Sequence, residues 1–147
     1  MLVTDGNGTP ISCHLDSARF HEIRLAETTL EKVSVRTKSG RIRKRMEQLV
    51  ADKAYDARSF RKYLRNKGVK VCIPERVRKA DDQFRRRRGR PHTTDRVAYK
   101  KRWRIERTFA WLGNFKRLIV RYENILTVYQ GLFHIACLLI CMRVLLK

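Results

Sequence analysis

Acidic residues are scarce in this chain: fourteen Asp and Glu stand against thirty-five Lys and Arg over 147 residues, a formal charge of +21. A compact chain of that balance repels itself and attracts polyanions, so nucleic acid is the expected partner. No membrane partner is expected, because the basic residues are spread along the chain and do not line one amphipathic helix. Paired cysteines are missing too: Cys13, Cys72, Cys137 and Cys141 stand singly in apolar stretches, which reads as reduced, buried thiols of a cytosolic protein. His134, Cys137 and Cys141 lack a fourth ligand and have Ile, Leu and Phe as neighbours, so core packing is the reading rather than a metal site. The N-terminus carries neither a basic n-region nor a long apolar h-region, so no export signal is expected and the localisation reads as cytoplasmic. No internal repeat is evident.

Past Glu123 the chain is nearly all apolar, but Gln130, His134 and Arg143 interrupt the run. A membrane span needs about 20 apolar residues, so a buried core helix over about 126–146 is expected. With 43% apolar content, residues 1–147 suffice for one domain with a modest core.

Several elements are legible in chain order. Leu2 to Thr4 and Pro10 to Leu15 flank Asp5-Gly6-Asn7-Gly8, which predicts a β-hairpin with both faces partly covered. Apolar residues at helical spacing predict a helix over about 17–33. Residues 36–45 hold six cations around Gly40, including Arg41, Arg43, Lys44 and Arg45, and read as an exposed loop able to lie along phosphates. Gln48 to Ala51 read as a buried strand whose Asp52 emerges at the carboxyl end, where acids face the ligand crevice of α/β sheets. Position alone equally allows Asp52 as a helix cap or turn residue. Asp56 reads as the N-cap of the helix carrying Phe60, Tyr63 and Leu64, which Gly68 ends. Val69 to Ile73 read as another buried strand, closed by Pro74. The segment at about 76–92, with Arg85, Arg86, Arg87, Arg88 and Arg90, reads as a second exposed basic loop, a phosphate-binding segment in preference to a nuclear-import signal. Thr93 or Thr94 is the expected cap of the helix that follows.

That helix carries Tyr99, Arg102 and Glu106. At about 100° per residue Ala98, Ile105, Phe109 and Leu112 form one apolar stripe, and the three polar residues lie on its flank. Glu106 then has two readings: an ordinary i,i+4 ion pair with Arg102, or a metal-binding acid at the border of the core. The pattern Tyr-x2-Arg-x3-Glu followed by Arg107-Thr108-Phe109-Ala110-Trp111-Leu112, continuing through Glu123, resembles the signature around the last catalytic acid of bacterial insertion-sequence transposases of the insertion-sequence-five type. Asp52-Lys53-Ala54-Tyr55-Asp56 resembles the same family's motif around its second acid. Where that signature usually carries Lys, this chain has Gly113, and the nearest later cation is Lys116, expected one helical turn on.

The resemblance implies an α/β, ribonuclease-H-like mixed sheet with flanking helices, here lacking its first strand, and an Asp-Asp-Glu centre holding Mg²⁺ or Mn²⁺. It implies Asp52 and Glu106 as metal ligands, with Tyr99 and Arg102 orienting the acid or holding a phosphate. Duplex DNA, at element ends and target, is the implied partner, positioned by the basic segments and by Lys116 and Arg117. The family's first acid has no match here, since Asp5 falls in the hairpin turn and Asp16 fits no better. An upstream segment carrying that Asp, and assembly of like chains on DNA, are therefore expected. A non-catalytic DNA-binding protein or inhibitor of transposition is the competing class, and a basic RNA-binding or ribosome-associated protein the weaker third.

Overall fold

The computed structural model describes residues 1–16, 22–76 and 94–146. The chain divides into two compact units, Met1–Ile42 with Trp103–Lys147, and Arg43–Arg102.

The first unit opens with the expected hairpin, β1 (Leu2–Thr4) antiparallel to β2 (Pro10–Cys13), with a register shift between Val3 and Thr4. Asp5 closes its turn: one carboxylate oxygen accepts the amides of Asn7 and Thr9, both at 2.8 Å. Gly8 follows with φ +89°, a conformation that side chains with a Cβ rarely adopt. Helix α1 (Glu22–Glu31) packs on both strands, burying Ala26, Thr29 and Leu30. The basic segment after it is a short exposed ribbon in place of a plain loop, β3 (Val35–Arg36) bonded to β4 (Ile42–Arg43) across a turn containing Gly40 at φ +79°.

The long helix expected through Tyr99 and Leu112 is two helices. Helix α3 (Arg96–Lys100) ends in the second unit, and α4 (Trp103–Leu112) starts in the first after a turn at residues 101–102. The α4 core stripe is also shifted. Phe109 is 52% exposed, whereas Thr108 and Leu112 are buried and Ile105 packs on the core. Helix α4 stops before Gly113, so Lys116 is not one turn further along it but begins a separate short helix, α5 (Lys116–Ile119).

Helix α6 (Leu126–Leu145) packs against β2, α4 and α5. Phe133, Ala136 and Ile140 join Leu2 and Leu112 in the core of this unit. The expectation of a buried core helix holds for that one stripe only: Ile135, Leu138, Leu139, Met142 and Leu145 are exposed. Because α6 is apolar on every side, no single stripe can cover it. By length and composition it suffices to cross a membrane.

The second unit is built on a β-α-β turn of chain. Strand β5 (Gln48–Val50) pairs in parallel with β6 (Lys70–Cys72), in register Gln48 to Lys70 and Val50 to Cys72, and α2 (Arg58–Asn66) makes the connection. Phe60 and Leu64, one turn apart on α2, are buried with Val69, Cys72 and Ile73. Strand β5 is less buried than expected, with Gln48 exposed and Leu49 and Val50 intermediate. Gly68, at φ +66°, follows the C-cap Lys67 as expected. Among the described residues the strands form three two-stranded sheets and not one mixed sheet, since no described strand joins the hairpin to the β5/β6 pair.

Candidate active site and nucleic-acid interface

Asp52 stands at the carboxyl end of β5, as the apolar run before it required. Its side chain is exposed, and its backbone is extended. It also N-caps a single 3-10 turn (Lys53–Tyr55) through the amide of Lys53, so both sequence readings describe it. The amide engages Oδ1, and Oδ2 has no hydrogen-bond partner among the described residues.

Asp56 does not cap α2. The N-cap is Ala57, without a side-chain bond, and the Asp56 carboxylate instead accepts from Arg61 Nε at 2.6 Å and from the amide of Arg76 at 2.6 Å. Arg61 in turn donates to the carbonyl of Ile73 at 2.7 Å, tying the start of α2 to the end of β6. The cap of α3 is Asp95 in place of Thr93 or Thr94: it accepts from the amides of Val97 and Ala98, both at 3.0 Å. Those bonds, Ala98's first, hold its carboxyl below the usual range. Thr93 itself lies outside the described residues.

Tyr99 and Arg102 meet within the second unit, the guanidinium 5.9 Å from the ring centroid. Glu106 belongs to the first unit, exposed on α4. On the same helix, spacing alone did not single out Trp103, Arg107 and Trp111. Arg107 lies one turn from each tryptophan, 4.8 Å from the Trp103 ring and 4.7 Å from that of Trp111. It also donates to the carbonyl of Asn7. Thr108, fully buried, donates to the carbonyl of Gly8 at 2.6 Å, so the hairpin turn is seated on α4. A Trp-x3-Arg-x3-Trp spacing is the signal that would have found this cluster.

The basic residues differ in how far their charge is already used. Arg41 and Lys44 are exposed and form no ion pair among the described residues. Arg43 is paired with Glu47 at 2.6 Å, and that bond lowers the Glu47 carboxyl below its ordinary range. Arg45 donates to the carbonyl of Gly68 at 3.0 Å. Lys116 and Arg117 are exposed on α5, Arg117 lying 3.8 Å from Glu123. Arg85, Arg86, Arg87, Arg88 and Arg90 lie outside the described residues.

The cysteines are thiols, Cys72 buried and the other three half-buried. Cys13 lies 3.2 Å from His134 Nε2 and Cys141 3.7 Å from the Pro10 carbonyl, so both contribute to seating α6 on the hairpin. Burial pushes the Cys137 thiol up to about 12.

Comparison with known proteins adds the family. A profile described as the transposase DDE domain matches residues 1–141. A candidate transposase for insertion sequence element IS402 of Burkholderia cepacia is 30% identical over 141 residues, covering 95% of this chain and 60% of that protein. A candidate transposase for insertion sequence element IS6501 of Brucella ovis is 32% identical over 95 residues, covering 65% of this chain and 67% of that protein. No solved structure matches. The chain thus spans about 60% of the length of its Burkholderia relative. With the Asp52 and Glu106 motifs both inside the matched span, the chain belongs to the transposase DDE domain family of bacterial insertion sequences.

Proposed function

We propose that residues 1–147 form the later part of a ribonuclease-H-like catalytic domain of an insertion-sequence-five-type transposase, which cuts element ends and joins them to target DNA. The observation that carries the reading is Asp52: an exposed carboxylate at the carboxyl end of a strand in a parallel β-α-β unit, with one oxygen held and the other open. Such an oxygen donor suits Mg²⁺ or Mn²⁺, hard cations that keep positions for substrate phosphates. Asp52 and Glu106 would hold the metal, which when bound activates the attacking oxygen and stabilises the leaving one. Tyr99 and Arg102 orient the acid or a phosphate. Arg41, Arg43, Lys44 and Arg45, the arginines between 85 and 90, and Lys116 with Arg117 position the duplex. The remaining acid comes from a segment outside these 147 residues, a reading in keeping with the 60% coverage of the IS402 relative. The working assembly is a homo-oligomer on DNA.

The competing reading, a DNA-binding inhibitor, rests on Gly113, which stands where the signature has Lys, and on Lys116 lying beyond the end of α4. One assay separates the two. Mg²⁺-dependent cleavage of element-end DNA is measured for this chain, for its fusion to the segment encoded directly upstream, and for that fusion with Glu106→Ala or Asp52→Ala. Cleavage by the fusion alone, abolished in both variants, is the expected result. Cleavage by the isolated chain overturns the missing-acid reading, and a fusion that binds its ends yet stays inert in both metals favours the inhibitor.

A further inference from the structure

The outer face of α2 carries charge of one sign and has no part in the proposed function. Arg58, Lys62 and Arg65 are all exposed and lie within about 60° of one another around the helix, while Phe60 and Leu64 are buried in the core. None of the three forms an ion pair or side-chain hydrogen bond among the described residues. Asp56 is the one carboxylate between Lys53 and Pro74, and Arg61 and the Arg76 amide already occupy it. A face kept only for solubility interleaves both signs. This one works against its own helix: Arg58 with Lys62, and Lys62 with Arg65, are like-charged neighbours one turn apart. Arg58 also stands at the positive end of the helix dipole, with no acid in the first turn and no side-chain cap. A polyanion along the face relieves both conflicts. From Arg58 to Arg65 the helix rises about 10 Å, the axial length of about three phosphates on one strand of a duplex.

We propose that Arg58, Lys62 and Arg65 form a track for the backbone of the target duplex, which they hold without sequence preference. Recognising an element end requires contacts to base edges, whereas cations on phosphates fix a duplex in place and carry no sequence information. Such a face suits DNA that is accepted whatever its sequence. It also leads to the right place, because α2 leaves the carboxyl end of β5, the end at which Asp52 stands with one oxygen open. The three are positioning residues, since none reaches the reacting atoms. The identity of the duplex as target rests on the transposase reading, while the phosphate track rests on charge and geometry alone.

The test compares the triple variant Arg58→Gln, Lys62→Gln, Arg65→Gln with the control Arg24→Gln, Lys100→Gln, Lys101→Gln, which removes the same charge from exposed positions elsewhere. Anisotropy of the full chain with a labelled duplex of arbitrary sequence is followed against salt. The log–log slope should fall by about 2.7 in the α2 variant, at about 0.9 per phosphate contact, and by less than about one in the control. The α2 variant should melt no lower than wild type, because Gln keeps the helix propensity and removes the like-charge pairs. Equal slope changes in the two triples, or a lower melting temperature in the α2 variant, overturn the track. In the fusion to the upstream segment, the α2 variant should keep element-end cleavage and lose strand transfer into unrelated duplex. Loss of both steps together overturns the assignment to target DNA. A wild-type fusion inert in both steps overturns that assignment along with the catalytic reading, and the salt slope alone then decides the track.

Discussion

Arg61 and Asp56 form an ion pair at 2.6 Å with side chains only 8% and 14% exposed, five residues apart and bridging the start of α2 to the carbonyl of Ile73. Removing one partner leaves a buried charge without compensation. Arg61→Ala should therefore cost about 3 kcal/mol or more in urea unfolding, the range for a broken buried pair. Arg58→Ala, on the exposed side of the same helix, should cost under about 0.5 kcal/mol. A loss below about 1 kcal/mol for Arg61→Ala would show the pair to be solvated.

Two glycines of one turn should behave oppositely. A Cβ on Gly8 would meet the Arg104 carbonyl and Thr108 Oγ1, each at 3.1 Å, in a left-handed backbone, whereas one on Gly6 meets nothing within 4 Å. Gly8→Ala should lower stability by about 1–3 kcal/mol and Gly6→Ala should be neutral within about 0.5 kcal/mol. Thr108→Val, which leaves the Gly8 carbonyl unpaired, should cost about 1–3 kcal/mol. Thermal melts of the three variants give the comparison directly.

These contrasts mark what the sequence could say. Asp5-Gly6-Asn7-Gly8 announced its turn because φ > 0 demands such residues, and Asp52 was placed by the apolar run ahead of it. The break after Lys100 was silent, because Lys101 and Arg102 are good helix formers and nothing in their types marks an end. Asp56 obeyed the cap rule in sequence but found a buried arginine, a stronger partner than an amide. The cap shifted to Asp95 where Thr93 or Thr94 was expected, within the register error of any boundary drawn from sequence. On α6 uniform apolarity erased the periodicity that tells inner face from outer.

Cys137 should be slow to alkylate at pH 8, where a free thiol reacts readily, because its ionisation is pushed up to about 12. The linkage sign follows. Above about pH 9 the unfolded thiol loses its proton while the folded one keeps it, so unfolding becomes easier between about pH 9 and 12. Cys137→Ala should flatten that part of the stability curve, measured against wild type by denaturant titration at each pH. Alkylation of native Cys137 at the rate of a free thiol would contradict the assignment.

Duplex binding should fall steeply with salt on a log–log plot. Arg41→Ala and Lys44→Ala should each lower the slope by about one, since their charges are unspent. Arg43→Ala should change it less, because Glu47 already neutralises that guanidinium. Slopes unchanged from wild type in all three variants would show that residues 41–44 do not touch phosphate.

The outer face of α6 gives the chain two opposed responses to ionic strength. Like charges totalling +21 hold copies apart in dilute salt, although Leu138, Leu139 and Leu145 present an adhesive strip. Screening those charges removes the repulsion and leaves the strip, so the buffer that strips off polyanions is the one in which the protein should self-associate. On the proposed function, duplex DNA would do the same work locally by cancelling charge where it lies, and light scattering should rise as sub-stoichiometric duplex is added. Leu138→Lys with Leu145→Lys should abolish that rise while leaving the first binding event intact.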